Sequence, residues 1–127
     1  MDYYEREMMM FEEMGIDVIN LSGCIVRDKY VSELSSEERK LYYDVKRIIC
    51  EWDPEDLICQ GASPGQYSPE YDTAFQILKG GGTDKELSRY LTYHFHYLFE
   101  DDLDESEMQK LMDGCETISK RLYGLMN

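Results

Sequence analysis

The residues best suited to chemistry in this chain are two histidines, four cysteines and a large excess of carboxylates. His94 and His96 lie two apart, and on a helix such residues point about 200° away from one another, so they cannot share a metal ion or act as one pair. His94 falls on an apolar stripe and reads as a core histidine; His96 reads as facing outward. A nucleophilic Cys–His pair would need Cys50 or Cys115 beside His94, and nothing in the local sequence marks either thiol as activated. Cys24, Cys50, Cys59 and Cys115 include no C-x-x-C pair. A structural zinc site normally needs two close ligand pairs to present four groups to one tetrahedral ion. Cys50 and Cys115 fit apolar stripes instead, where a thiol serves as a small hydrophobe. No metal and no other cofactor is expected.

Two loops invite a closer look. Asp102-x-Asp104-x-Ser106 begins like a calcium loop, but Glu107 stands at the sixth position, where glycine is required, and Asp113 replaces the bidentate glutamate at the twelfth. A solvated acidic turn is the better reading. Gly80-Gly81-Gly82 lacks the Lys-Ser/Thr ending of a phosphate loop and follows a helical stretch, so it reads as a helix stop.

The carboxylates carry the strongest signal. Among 127 residues, 27 Asp and Glu oppose 13 Lys and Arg, for a net charge of −14. Direct nucleic-acid binding is disfavoured, because phosphate contacts need clustered cations. The excess is local: residues 100–107 carry −6, residues 1–35 carry −5 and residues 53–82 carry −4, while 36–52 and 83–99 are neutral and 108–127 is +1. Carboxylates are favoured at helix N-termini, which accounts for a few of these charges and leaves most unexplained. A basic protein partner is the natural complement, since opposite potentials speed encounter. The candidate contacts are Asp101, Asp102, Asp104 and Glu105 in one patch, and Tyr67, Glu70 and Asp72 in a second, with tyrosine suited to anchor an interface. The plainer alternative is that the tyrosines complete the core and the acids keep the chain soluble.

The elements that must position these groups are mostly helices. Ser35 with Glu38 forms a capping box. Leu41, Val45, Ile48, Ile49 and Trp52 then recur at helical spacing, until Asp53-Pro54 stops the run. Residues 54–68 read as an ordered loop, and Ser68-Pro69 as an N-cap followed by proline at the first helical position. Tyr71, Ala74, Phe75 and Leu78 make the next stripe. Thr83 with Glu86 opens another helix, carrying Leu87, Tyr90, Leu91, His94, Phe95 and Leu98. Asp104 caps a last one, carrying Met108, Leu111, Met112, Cys115, Ile118 and Leu122. Residues 36–127 are thus expected to form a helical core.

Residues 1–35 read as an N-terminal extension. Tyr4, Met8 and Phe11 are helically spaced, with Gly15 as a stop. Residues 17–21 alternate enough for a strand, and a strand needs a partner; residues 24–31 would complete a small β-hairpin spanning 17–31. An extra helix and an irregular linker fit nearly as well. The expected fold is mainly α, a single compact bundle of four or five helices over 1–127. No apolar run approaches the roughly 18–20 residues that span a bilayer, and the acidic N-terminus does not resemble a secretory signal. A cytoplasmic location with reduced cysteines is expected, and no membrane partner.

Trp52-Asp53-Pro54, followed by Gly61-Ala62-Ser63-Pro64-Gly65-Gln66-Tyr67-Ser68-Pro69-Glu70 and a helix, resembles the DUF1871 family of small bacterial YugE-like domains. The likeness runs from about residue 45 to 122. It implies a compact helical fold in which Trp52, Asp53 and Pro54 form a structural motif, and it implies no activity. Where that family carries a Glu-Tyr-Asp element, this chain has Gln66-Tyr67-Ser68. Some similar small domains sit beside toxins as suspected immunity proteins. From the residues themselves, Trp52 is expected to pack over the helix junction, and Asp53 to accept backbone N–H groups of the following turn.

The favoured reading is a small acidic binding protein, not an enzyme. It would neutralise a basic partner, such as a nuclease-type toxin or another nucleic-acid enzyme, by electrostatic and steric occlusion. A rival is a small-molecule or enzymatic site in the loop of residues 52–71, using Asp53, Cys59 and Glu70. A third reading is a homo-oligomeric scaffold joined through the N-terminal helix by Met8, Met9, Met10 and Met14.

Overall fold

In a computed structural model that describes residues 2–98 and 102–126, the chain forms six α-helices and, among the described residues, no strand. They are α1 (Tyr3–Met14), α2 (Cys24–Ser32), α3 (Ser36–Trp52), α4 (Ser68–Lys79), α5 (Asp84–Leu98) and α6 (Glu105–Tyr123). Three of the four predicted caps close as expected; Ser68 does not act as an N-cap. Ser35 and Glu38 exchange bonds at 3.0 and 3.1 Å, Thr83 and Glu86 at 2.9 and 3.2 Å, and Asp104 accepts from the Glu107 amide at 2.8 Å. A short 3-10 turn, Pro64–Tyr67, rolls directly into α4, so Ser68 is already helical.

One core draws on all six helices. Met10 and Phe11 of α1 and Val31 of α2 join Val45, Ile48 and Ile49 of α3, Phe75 and Ile77 of α4, Leu87 and Leu91 of α5, and Cys115, Ile118 and Leu122 of α6. The segment of residues 2–35 therefore contributes to that core through Met10, Phe11, Ile16, Val31 and Leu34.

α4 lies at its centre. Glu70, Tyr71, Asp72, Ala74, Phe75, Gln76, Ile77 and Leu78 are all buried, as expected of a helix with neighbours on almost every side. At its end Gly81 adopts φ +92°. A Cβ on Gly82 would lie 2.4 Å from Ile77 Cγ2, so the return of the chain toward α5 depends on the missing side chain there.

The hairpin expected over 17–31 does not form, and the helix count rises to six. Residues 24–32 are α2, entered through Gly23 at φ +93°. A nine-residue helix is marginal alone. Here three contacts from one face hold it: Arg27 to Asp72 at 2.9 Å, the Tyr30 ring edge-on to Phe75 at 6.3 Å, and buried Val31. Residues 16–21 do run without helix, and Ile16 and Leu21 are buried. The partner an extended segment requires is a side chain. Gln76 Oε1 accepts from the Ile19 amide at 2.8 Å, and its Nε2 donates to the Ile19 carbonyl at 3.1 Å.

No helix among the described residues is long and apolar enough to cross a membrane. The Gln76 pairing yields a direct prediction. Gln76→Met should release both groups of Ile19, speed hydrogen exchange at that amide, and lower unfolding stability by about 1–2 kcal/mol. Unchanged exchange at Ile19 would show that the glutamine does not hold the linker.

Candidate functional site

The largest group of interacting titratable side chains lies where α1 crosses α5. His94 is buried; its Nδ1 is 2.6 Å from the Tyr3 hydroxyl, and its Nε2 is 3.1 Å from Glu70 Oε1. Burial, then the adjacent Glu7 carboxylate, pushes the Tyr3 phenol far above its usual range. Glu7 itself is raised by burial, against the pull of His94 and Tyr3. The Tyr3 ring stacks on Tyr93 at 5.4 Å, nearly parallel, and Arg6 donates to the Tyr97 hydroxyl. The histidine is therefore a buried, hydrogen-bonded clamp between three helices. His96, outside it, is half-buried on the same helix.

A second group surrounds Asp72. Its Oδ1 accepts the Tyr42 hydroxyl at 2.7 Å, and its Oδ2 pairs with Arg27 Nε at 2.9 Å. Burial raises the Asp72 carboxyl, and the bonds from Tyr42 and Arg27 pull it back only in part. Tyr42 is driven well above the normal phenol range by burial and then by the hydrogen bond to Asp72.

The third group is the loop of residues 53–67. Asp53 takes the left-handed conformation, φ +44°, at the end of α3. Its carboxylate accepts the Ile58 amide at 3.1 Å, the Cys59 amide at 2.9 Å and the Tyr67 hydroxyl at 2.5 Å; the same hydroxyl accepts the Glu55 amide at 3.1 Å. Burial raises this carboxyl, but the bonds from Tyr67 and the loop amides outweigh it and hold the group below its ordinary value. Trp52, just before the loop, packs on two other helices. Its indole meets Phe95 edge-on at 5.5 Å and lies over Gly114, joining α3 to α5 and α6.

These positions divide the predicted contact residues. Asp102, Asp104 and Glu105 are exposed at the start of α6, with Asp104 serving as its N-cap; Asp101 lies outside the described residues. The second patch does not reach the surface: Tyr67, Glu70 and Asp72 are buried. Tyr67 closes the loop, and the two carboxylates belong to the central helix, whose polar side chains have only other elements to face. The rival loop site does not assemble either, because Asp53 is engaged by loop amides, Glu70 faces His94, and Cys59 is exposed. Cys115 is fully buried, and burial raises the Cys50 thiol, the opposite of nucleophile activation. In the N-terminal helix, Met8 and Met9 are exposed, Met10 is buried and Met14 is half-buried. The apolar stretch thus splits between core and solvent. Among the described residues no group of three His, Cys, Asp or Glu could hold a metal ion.

Two surface grooves escaped the sequence reading. One, of about 650 Å³, runs between α1, α5 and α6, with Met10, Tyr93, Met108 and Met112 among its walls. The other, of about 500 Å³, lies between α2 and α3 and is rich in cations. The chain matches no protein-family model, no curated protein and no solved structure.

The Asp53 staple predicts a pH signature. A carboxyl whose folded value is depressed contributes stability that is complete above its unfolded value and is lost as pH falls through the folded one. Tyr67→Phe removes the first of the bonds that lower it, so the stability lost on acidification between about pH 5 and pH 3 should be smaller in the variant. The raised values of Glu7 and Asp72 act in the opposite direction but are common to both proteins and cancel in the comparison. Denaturant midpoints measured across that range test this, and equal slopes would rule it out.

Proposed function

We propose that this chain is an inhibitor-like binding protein that docks one end of its helical bundle on a cationic protein surface. What supports the reading most is the convergence of acidic segments. The Tyr3–His94 and Arg6–Tyr97 contacts carry the start of α1 to the end of α5, and α6 begins a few residues beyond that end. Asp2 and Glu5 therefore gather at the same end of the bundle as Asp102, Asp104, Glu105 and Glu107, all of them exposed. Among them stand large apolar side chains open to solvent: Tyr4 at 74%, Tyr97 at 41% and Leu98 at 52%. Carboxylates around exposed aromatics are what a basic interface with an apolar centre would complement.

The mechanism is steric and electrostatic. The acidic end would cover a positively charged groove, as of a nuclease-type toxin or another nucleic-acid enzyme, and compete with phosphate for its cations. The same proposal includes the DUF1871 resemblance over residues 45–122; some similar small domains sit beside toxins as suspected immunity proteins, so a nuclease-type toxin is the first partner to try.

The test is capture from a native lysate by the tagged full chain beside a variant carrying Asp2→Asn, Glu5→Gln, Asp102→Asn and Glu105→Gln, which spares the Asp104 cap. The expected result is a basic protein retained at 50 mM salt, released by 500 mM, and retained by the variant at least about tenfold less. Retention that is equal in both chains and indifferent to salt would overturn the reading.

A further inference from the structure

We propose that the groove between α2 and α3 is a binding site for a small phosphate monoester. In a chain with 27 acidic and 13 basic residues, this groove of about 500 Å³ is lined by Arg27, Arg39 and Lys46, with Asp28 as its single acid and Tyr42 and Tyr43 as its rings. Its volume lies within the range typical of small-molecule sites.

The three cations are held in place, and of them, among the described residues, Arg27 alone is ion-paired. Buried Asp72 fixes it through Nε at 2.9 Å. Among the described residues that is the only hydrogen bond the Arg27 side chain makes, which leaves its terminal nitrogens available. Arg39 reaches back to the end of α2, donating through Nε to the Val31 carbonyl at 3.4 Å and through Nη2 to those of Ser32 and Leu34 at 3.3 and 2.9 Å. Its other terminal nitrogen and its full charge remain. Lys46 lies over the Tyr71 ring at 5.6 Å and, among the described residues, pairs with no carboxylate. Elsewhere the cations are largely spent: Lys40 and Arg47 on Asp44, Lys79 on Glu38, Arg89 on Glu13, and Lys120 on Glu116.

Positioned cations lose less conformational entropy on binding than mobile ones. Two guanidinium edges and one ammonium present more donors than a single carboxylate can use. A phosphate dianion, with three terminal oxygens, has the acceptors to match such a set of donors. Tyr43, 52% exposed and edge-on to Tyr42 at 5.4 Å, offers a ring face on which a planar group of the ligand can rest.

The test is calorimetric titration of the full chain with adenosine 5′-monophosphate, inorganic phosphate and adenosine. Lys46→Gln is the variant of choice, because Lys46 caps no helix and pairs with no carboxylate; removing Arg27 would strand Asp72. The expected result is one site for the monophosphate, no heat from adenosine, and affinity lowered at least about tenfold in Lys46→Gln at unchanged melting temperature. Inorganic phosphate binding as tightly as the nucleotide would assign all the affinity to the phosphoryl group, and weaker binding would add a share for Tyr43; either sustains the site. No binding of either phosphate below about 10 mM, or equal affinity in the variant, overturns it.

Discussion

Three polar side chains on a helix that has almost no exposed face organise this protein. α4 sits in the centre of the bundle, and Glu70, Asp72 and Gln76 cannot turn to water. A buried polar group without a partner costs on the order of 1–3 kcal/mol, and a charged one more. Each of the three holds a different peripheral element, although among the described residues Glu70 Oε2 is left without a hydrogen bond. Glu70 takes His94 of α5, and through it Tyr3 of α1. Asp72 takes Arg27 of α2 and Tyr42 of α3. Gln76 takes the backbone of Ile19. The apolar core drives collapse, but it is indifferent to which apolar surface arrives. The polar clamps are selective, and they fix where α1, α2 and the linker between them lie.

This division explains what could be read from the residues alone. α3, α5 and α6 announce themselves because capping boxes and apolar stripes are local signals, written within about four residues of the groups they govern. The hairpin expectation failed because Ile25, Val26 and Val31 favour strands by local propensity, while the evidence for α2 is distant. Arg27 is 45 residues from Asp72 and Ile19 is 57 from Gln76. Tyr71, Ala74, Phe75, Ile77 and Leu78 span roughly 160° of α4 at 100° per residue, a one-sided stripe that leaves Asp72 and Gln76 on what reads as a solvent face. Their burial is set by distant elements, and Glu70 and Asp72 are inward clamps, not a docking patch.

The candidate surface was legible to a similar degree. That carboxylates crowd residues 100–107 is plain from composition. That the first turn of α1 shares their end of the bundle depends on Tyr3 and Arg6 finding α5 from 91 residues away, and no local pattern encodes that. The cationic groove is equally nonlocal, since Arg27, Arg39 and Lys46 are separated by 12 and 7 positions and share a wall only because α2 folds back along α3.

The two surfaces are compatible because the helix order separates them. Glu38, in the first turn of α3, pairs with Lys79 in the last turn of α4, near where α5 starts, whereas the acidic end lies where α5 finishes. A helix of fifteen residues puts roughly 22 Å between those ends, more than twice the Debye length of about 8 Å at physiological salt. Across that distance the carboxylates where α5 finishes are largely screened from Arg39, near the start of α3, and less so from Lys46, seven positions further along that helix. A single net charge of −14 therefore misdescribes this molecule: an exposed acidic end and a cation-lined groove occupy separate parts of its surface.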